Sequence, residues 1–104
     1  MIEHIVVCRL RPDHDPEEYA EVIEALEDLV GRLPGGRRFV AGPNRDFEKL
    51  SPGFDAGFAI SFADERALDR YARHPEHLAL AARLVALCTD GARGLMVFDL
   101  DTRG

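Results

Sequence analysis

Hydrophobic residues alternate with polar or small residues along several short segments of the chain, which is the period of a half-buried β-strand. We predict strands over 2–10, 37–42, 54–62 and 95–100. The third segment shows the alternation most clearly, because its large side chains all fall on one face: Phe54, Ala56, Phe58, Ile60 and Phe62. A face with three phenylalanines needs a large apolar partner, either the helices of the domain or a second sheet.

Two further segments repeat hydrophobic residues at the spacing of an amphipathic helix. We expect Asp15 to cap the first helix, with Pro16 at the first helical position and Glu18 at the spacing of a capping box. The apolar stripe of this helix comprises Tyr19, Val22, Ile23, Leu26, Leu29, Val30 and Leu33. The second helix opens at Asp64 and has an inner face of Leu68, Tyr71 and Ala72.

Pro75 interrupts this second helical segment, since a proline ring clashes with the preceding turn and has no N–H to donate. We therefore predict that one helix ends near His74 and that another begins with Pro75 at its first position. The apolar stripe is expected to resume through Leu78, Ala81, Ala82, Val85 and Cys88.

The predicted elements follow the order β-α-β-β-α-β, which is the ferredoxin-like α+β arrangement with a four-stranded antiparallel sheet. We assign residues 1–104 to one such domain. Its helices can cover only one of the two apolar sheet faces. The other face would be exposed unless a second subunit covered it, so the pattern favours a homodimer.

The net charge of −6 argues against a nucleic-acid partner or an anionic membrane surface, since both need a basic footprint. No stretch approaches the apolar length of a membrane span, and no signal peptide precedes the first strand. Cys8 and Cys88 are too few and too far apart to indicate a disulfide framework. We interpret them as buried thiols of a cytoplasmic protein.

The candidate chemistry lies in the segment Tyr71-Ala72-Arg73-His74-Pro75-Glu76-His77. His77 falls in the first turn of the helix that Pro75 begins, where the helix dipole disfavours an imidazolium ion. A neutral imidazole beside a tyrosine can donate and accept a proton at pH 7. The same residues also fit a purely structural role, with Tyr71 in the core and His74 at a helix end. A metal site at His74 and His77 is disfavoured, because Pro75 disrupts the helical spacing of the ligands.

The chain resembles the stress-responsive A/B barrel (Dabb) domain family, a branch of the dimeric α+β barrel superfamily. The resemblance rests on four segments in the family's order: Glu3-His4-Ile5-Val6, Ser51-Pro52-Gly53-Phe54-Asp55, the segment Tyr71–His77, and Val97-Phe98-Asp99. It implies a homodimer in which two four-stranded sheets close into a dimeric α+β barrel. Some relatives are plant polyketide cyclases, which act without a metal or organic cofactor.

The resemblance assigns the acid–base pair to Tyr71 and His77, and it assigns the acid that orients the histidine to Asp99. We expect His4, His74, Phe54 and Phe58 to contact a small apolar keto ligand. The implied reaction is cyclisation, isomerisation or decarboxylation of that ligand, with no cofactor. Pro52 departs from the family pattern, because many members have histidine there, and Ala56 supplies no polar group on the apolar face of the third strand. Ligand binding without turnover, a structural role, and cofactor-free oxygenation of the kind other dimeric α+β barrels perform remain open.

Overall fold

The computed structural model describes residues 1–102 and contains one antiparallel four-stranded sheet with three α-helices on one of its faces. The strands are β1 (Ile2–Cys8), β2 (Gly36–Pro43), β3 (Ala56–Phe62) and β4 (Leu95–Asp101), and the helices are α1 (Pro16–Arg32), α2 (Glu65–Arg73) and α3 (Pro75–Leu87). A short 3-10 turn over Gly91–Gly94 leads into β4. The strand order across the sheet is β2-β3-β1-β4. This confirms the predicted ferredoxin-like α+β fold, although β1 is shorter than expected at its end and β3 at its start.

The helix-facing side of the sheet forms the hydrophobic core. The central strand β3 contributes four buried side chains, and α1 contributes four more from its predicted stripe: Ala56, Phe58, Ile60 and Phe62, and Val22, Leu26, Leu29 and Val30. Val6 and Cys8 of β1 complete the same layer. The alternation predicted for β3 is thus confirmed, and its apolar face is covered by helices of the same chain.

The helix starts follow the predicted caps, with one exception. The Asp15 carboxylate accepts a hydrogen bond from the backbone N–H of Glu17 at 2.9 Å. The expectation of a capping box at Glu18 is wrong, because the Glu18 carboxylate instead accepts two hydrogen bonds from the Arg83 guanidinium, at 2.9 and 2.6 Å. Since α3 packs beside α1, Arg83 comes within reach. The guanidinium–carboxylate pair has two charge-assisted hydrogen bonds, whereas a capping box would give the Glu18 carboxylate one.

The helix is interrupted at Pro75, as the sequence predicts. The residues that α3 buries differ from the predicted ones. α2 ends at Arg73 and α3 begins at Pro75. Within α3 the buried leucines are Leu80, Leu84 and Leu87, whereas Leu78 is 57% exposed. Ala72 and Ala82 are exposed as well. The predicted stripe is wrong at Leu78 and Ala82, whereas Cys88 is buried as predicted. His74 between the two helices has an extended backbone, so the phase of α2 does not continue into α3.

The opposite face of the sheet is mostly apolar, apart from one row formed by Glu3, Ser61 and Arg38, and no helix within residues 1–102 covers it. By register its side chains come from alternate positions of all four strands, including Ile5, Val7, Val40, Ala59, Met96, Phe98 and Leu100. Four of these, Val40, Met96, Phe98 and Leu100, are between 41% and 51% exposed. We call this the open face. A contiguous apolar surface of this kind marks an interaction site.

The helix layer packs on β1, β2 and β3. The helix-side residues of the edge strand β4 therefore remain largely uncovered, and both Val97 and Asp99 are exposed. None of the described helices is long and apolar enough to cross a membrane.

Candidate functional site

His4 and Asp99 lie directly opposite each other on the neighbouring antiparallel strands β1 and β4. Both side chains point to the helix side of the sheet, and His4 Nδ1 lies 2.6 Å from Asp99 Oδ1. A carboxylate accepts hydrogen bonds, so His4 carries its proton on Nδ1 and donates it to Asp99. The second ring nitrogen of His4, Nε2, then remains for another partner.

Tyr71 of α2 packs against His4 and is almost completely buried, with 1% of its surface exposed. Its ring centroid lies 5.9 Å from that of His4, 5.2 Å from that of Phe62 and 4.4 Å from that of His77. Burial raises the pKa of the Tyr71 hydroxyl above its usual value of 10.0. Tyr71 is therefore protonated at neutral pH and acts as a hydrogen-bond donor.

The hydroxyl of Tyr71 has no hydrogen-bond partner among residues 1–102. In that part of the chain no side-chain polar atom is both completely buried and unpartnered. The small exposed area of Tyr71 must therefore include its hydroxyl, and the rest of the ring is enclosed. A buried tyrosine that presents only its hydroxyl is suited to donating a hydrogen bond to a bound molecule.

His77 lies in the first turn of α3, and its Nδ1 is 3.0 Å from the backbone carbonyl of Ala72 in the last turn of α2. A carbonyl oxygen only accepts, so Nδ1 carries the proton and Nε2 holds a lone pair. Burial lowers the pKa of His77 below its usual value of 6.5, and this effect outweighs the carbonyl hydrogen bond, which raises the pKa. His77 is therefore a neutral base at pH 7.

Asp99 does not contact His77 as the resemblance implies, because it is bonded to His4. One reason is the strand register, which places Asp99 opposite His4. The other is the Ala72 carbonyl at the end of α2, which accepts the hydrogen bond from Nδ1–H of His77. Tyr71 connects the two imidazoles through its ring contacts. We call Asp99, His4, Tyr71 and His77 the polar cluster.

His74 caps α3 as the residue between the two helices. Its Nδ1 accepts a hydrogen bond from the backbone N–H of Glu76 at 3.1 Å, so this nitrogen is engaged in the helix start. No group of three or more potential metal ligands occurs within the described residues. The contact between His74 and a ligand stays a prediction. It would have to be made by Nε2, because Nδ1 is bonded to the N–H of Glu76.

The phenylalanine that lines the polar cluster is Phe62, not the two that the sequence analysis selected. Phe58 stacks on Phe39 in the middle of the sheet at a centroid distance of 5.5 Å. Phe54 lies before β3, beneath the guanidinium of Arg9 at 4.4 Å. The alternation in the sequence places all three on one face, and only the strand register reveals that Phe62 is paired with Ile2 at the start of β1.

A surface recess borders the polar cluster at Asp99. A surface depression of about 500 Å³ is lined there by residues of β1, β4 and the start of α2, namely Met1, Ile2, Ala63, Asp64, Glu65, Leu68, Asp99 and Asp101. We call it the β4 recess. Of the polar cluster, Asp99 lines this recess, whereas His4, Tyr71 and His77 are not among its lining residues.

The chain matches solved structures of the same fold over nearly its entire length. A dimeric ferredoxin-like protein of unknown function from Jannaschia sp. CCS1 is 39% identical, with a TM-score of 0.92, and the match covers 97% of this chain and 98% of that one. The hydroxynitrile lyase of Passiflora edulis is 16% identical with a TM-score of 0.79, covering 95% and 90% of the two chains. SnoaB, a cofactor-independent oxygenase from Streptomyces nogalater, is 19% identical with a TM-score of 0.77, covering 99% and 93%. The last two share the fold with this chain.

No curated protein matches the sequence. The family model described as the stress responsive A/B barrel domain matches residues 2–101. The chain therefore belongs to the stress responsive A/B barrel domain family, as its sequence motifs indicate.

Proposed function

We propose that this protein is a homodimer that binds a small apolar compound with a carbonyl group at the polar cluster and moves a proton on it. The observation that supports this most directly is the pairing of a buried tyrosine, whose hydroxyl is unpartnered, with a neutral histidine at a ring distance of 4.4 Å. One group can donate a hydrogen bond and the other can accept a proton, which are the two requirements of enolisation.

In the proposed reaction, Nε2 of His77 takes a proton from the carbon next to the ligand carbonyl. The hydroxyl of Tyr71 donates a hydrogen bond to the carbonyl oxygen as negative charge develops there. Return of the proton from His77 to the same or another carbon completes an isomerisation. Attack of the enolate on a second carbonyl of the ligand forms a carbon–carbon bond, and the resulting alkoxide takes up the proton, which completes a cyclisation.

The His4–Asp99 pair supports ligand placement in this proposal. Asp99 fixes the ring of His4 through the 2.6 Å hydrogen bond to Nδ1. The other nitrogen of His4 is then available to a second polar atom of the ligand, on the side of the β4 recess. Asp99 thus acts through His4, which differs from the direct role beside His77 that the resemblance implies.

The homodimer is supported by the open face and by the Jannaschia relative. That relative is described as dimeric and is 39% identical over 97% of this chain. An open face of exposed Val40, Met96, Phe98 and Leu100 would otherwise remain in water. Packing two such faces together would bury them in the centre of a barrel.

The test is proton exchange on a simple ketone, with phenylacetone as the probe. The wild-type protein should accelerate exchange of its α-hydrogens for deuterium in heavy water, followed by proton NMR. Tyr71→Phe and His77→Gln should each reduce this acceleration by at least about tenfold, since acid–base groups contribute about 10²- to 10⁴-fold. His14→Gln is the matched control, because His14 lies in the loop before α1 and bonds only to the Arg11 carbonyl.

If deuterium exchange is no faster with the wild-type protein than in buffer alone, the proposed proton transfer is rejected. In that case, chemical-shift changes of His77 and Tyr71 on addition of phenylacetone would identify a binding protein without turnover. The absence of both effects would favour the structural role.

A further inference from the structure

The loop between β2 and β3 presents two large apolar side chains to the surface. Phe47 is 84% exposed and Leu50 is 80% exposed. A single exposed hydrophobic residue needs no explanation, but two neighbouring ones on a loop form a projecting apolar knob. We call Phe47 and Leu50 the loop knob.

Hydrogen bonds hold this loop in one conformation. The Asp46 carboxylate accepts from the backbone N–H groups of Leu50 and Ser51, both at 3.0 Å, and from the Ser51 hydroxyl at 2.8 Å. The Asn44 side-chain amide donates to the Ser51 hydroxyl at 2.8 Å and to the Phe54 carbonyl at 2.9 Å. These bonds also lower the pKa of Asp46. A loop that is ordered in advance loses little entropy when a partner binds its side chains.

A hollow lies next to the loop, on the open face. Gly42 and Gly57 are directly opposite each other on β2 and β3, so no side chain covers the sheet at this point. The resulting depression of about 340 Å³ has no ionisable lining residue: Ile5, Val6, Val7, Val40, Ala41, Gly42, Pro43, Asn44, Ala56, Gly57, Phe58 and Ala59. We call it the glycine hollow. Its volume accommodates an aromatic or leucine side chain.

The loop knob and the glycine hollow adjoin the same point of the chain. Pro43 and Asn44 border both the hollow and the surface depression under the loop. A two-fold axis near this point would place the knob of each copy over the hollow of the other, which is the self-complementary arrangement of an isologous interface. Through Pro43 and Asn44 the loop that carries the knob adjoins the open face, which the proposed dimer buries.

Building on the homodimer proposed above, we propose that the loop knob of each copy inserts into the glycine hollow of the second copy. This contact would anchor the dimer at the edge of the open face. It would also align the two sheets, because a knob fits its hollow in one position only. The two glycines would then serve the assembly by leaving room for the partner's side chain.

The hollow can be filled without disturbing the protomer that contains it. A Cβ added at Gly42 meets no atom within 4 Å, whereas one added at Gly57 would lie 2.6 Å from the carbonyl oxygen of Val6. Gly42→Val is therefore the suitable variant, and valine also favours a strand. It should weaken the dimer by about tenfold or more in dissociation constant, with an unchanged circular dichroism spectrum.

Removing the knob should have the same effect. We expect Phe47→Ser to raise the dimer dissociation constant by about tenfold or more, measured by sedimentation over a concentration series. Leu78→Ser is the matched control, since Leu78 is 57% exposed on α3, away from the open face. Its dissociation constant should equal that of the wild type.

The double variant Gly42→Val with Phe47→Ser tests whether the two sites touch. If they form one contact, the double variant weakens the dimer no more than either single change does. Additive effects, or a dimer of wild-type strength in either single variant, would overturn the knob-and-hollow contact while leaving the homodimer intact. A wild-type protein that stays monomeric over the whole concentration series would reject the homodimer itself, and this inference with it.

Discussion

Nδ1 of His77 is bonded to the Ala72 carbonyl at the end of the preceding helix, and this one contact determines the chemistry available to the ring. It places the proton on Nδ1 and leaves the lone pair on Nε2. It also satisfies a carbonyl of the last turn of α2 that has no partner within its own helix. The contact that joins α2 to α3 and the proposed role as a base therefore fall on the same side chain.

The depressed pKa of His77 makes folding stability depend on pH. In the unfolded chain His77 titrates near its usual value of 6.5, and in the folded chain its pKa is lower. Between the two values the unfolded state binds more protons. The contribution of His77 to the free energy of unfolding is therefore fully present above 6.5 and is lost as the pH falls through the folded pKa.

We expect His77→Gln to reduce the loss of stability between about pH 7 and pH 5, a range above the usual titration of carboxylates. Urea denaturation of both proteins across this range measures the effect. An identical pH dependence in the variant would show that burial does not depress the pKa of His77.

At the residue scale the sequence predicts Tyr71 and His77 as neighbours, because a proline-broken helix brings them together within one motif. It does not predict that Asp99 bonds to His4, since the register of β1 against β4 is not encoded in the local pattern. For the same reason it does not single out Phe62 from the three phenylalanines of the predicted third strand. Side chains that meet across strands become visible only when the pairing is known.

At the scale of the elements, the turn from α2 to α3 depends on His74. Its Nδ1 accepts the N–H of Glu76 and so replaces a missing backbone partner at the helix start. We expect His74→Ala to lower the free energy of unfolding by about 1 kcal/mol, as for other N-cap deletions. His74→Asn should retain most of that stability, because asparagine caps well. Urea denaturation at pH 7 compares the three proteins, and equal stability of His74→Ala would contradict the capping role.

The buried face of α3 yields a second prediction at this scale. Leu84 is buried, whereas Leu78 is exposed on the same helix. Leu84→Ala should lower the free energy of unfolding by about 2–5 kcal/mol, since it opens a cavity in the core. Leu78→Ala should change it by less than about 0.5 kcal/mol. Thermal and urea unfolding of the two variants test which side of α3 is buried. A larger loss of stability in Leu78→Ala than in Leu84→Ala would support the stripe predicted from the sequence instead.

The sequence predicts where the helices begin and end better than which side of α3 is buried. Asp15, Asp64 and Pro75 are local signals that act within one turn. The orientation of α3 is instead set by its packing on α1, where Arg83 reaches Glu18. Many alanines and leucines of α3 fit either face, so the pattern alone does not decide between them.

At the scale of the whole molecule, the open face is the proposed dimer interface. Phe98 and Val97 are adjacent on β4 and similarly exposed, but they point to opposite faces of the sheet. Phe98→Asp should shift the protein from dimer to monomer, because it places a charge in the proposed interface. Val97→Asp is the control and should leave the dimer intact. Sedimentation distinguishes the two, and equal behaviour of both variants would argue against the open face as the dimer interface.

The homodimer can be predicted from the sequence, because the pattern gives the sheet two apolar faces and enough helices to cover only one of them. The position of the β4 recess does not follow from it, because it depends on where the helix layer stops. The assignment of Cys8 and Cys88 to a reducing cytoplasm stays a prediction, with both thiols free and buried in this fold.

The most direct test of the proposed acid–base pair is the pH dependence of deuterium exchange into phenylacetone by the wild-type dimer. If neutral His77 is the base, the rate should rise from acid pH to a plateau, with a midpoint below the usual 6.5. The same midpoint should appear in the NMR titration of the His77 ring. A rate with no such midpoint, or one that keeps the same profile in His77→Gln, would contradict the account.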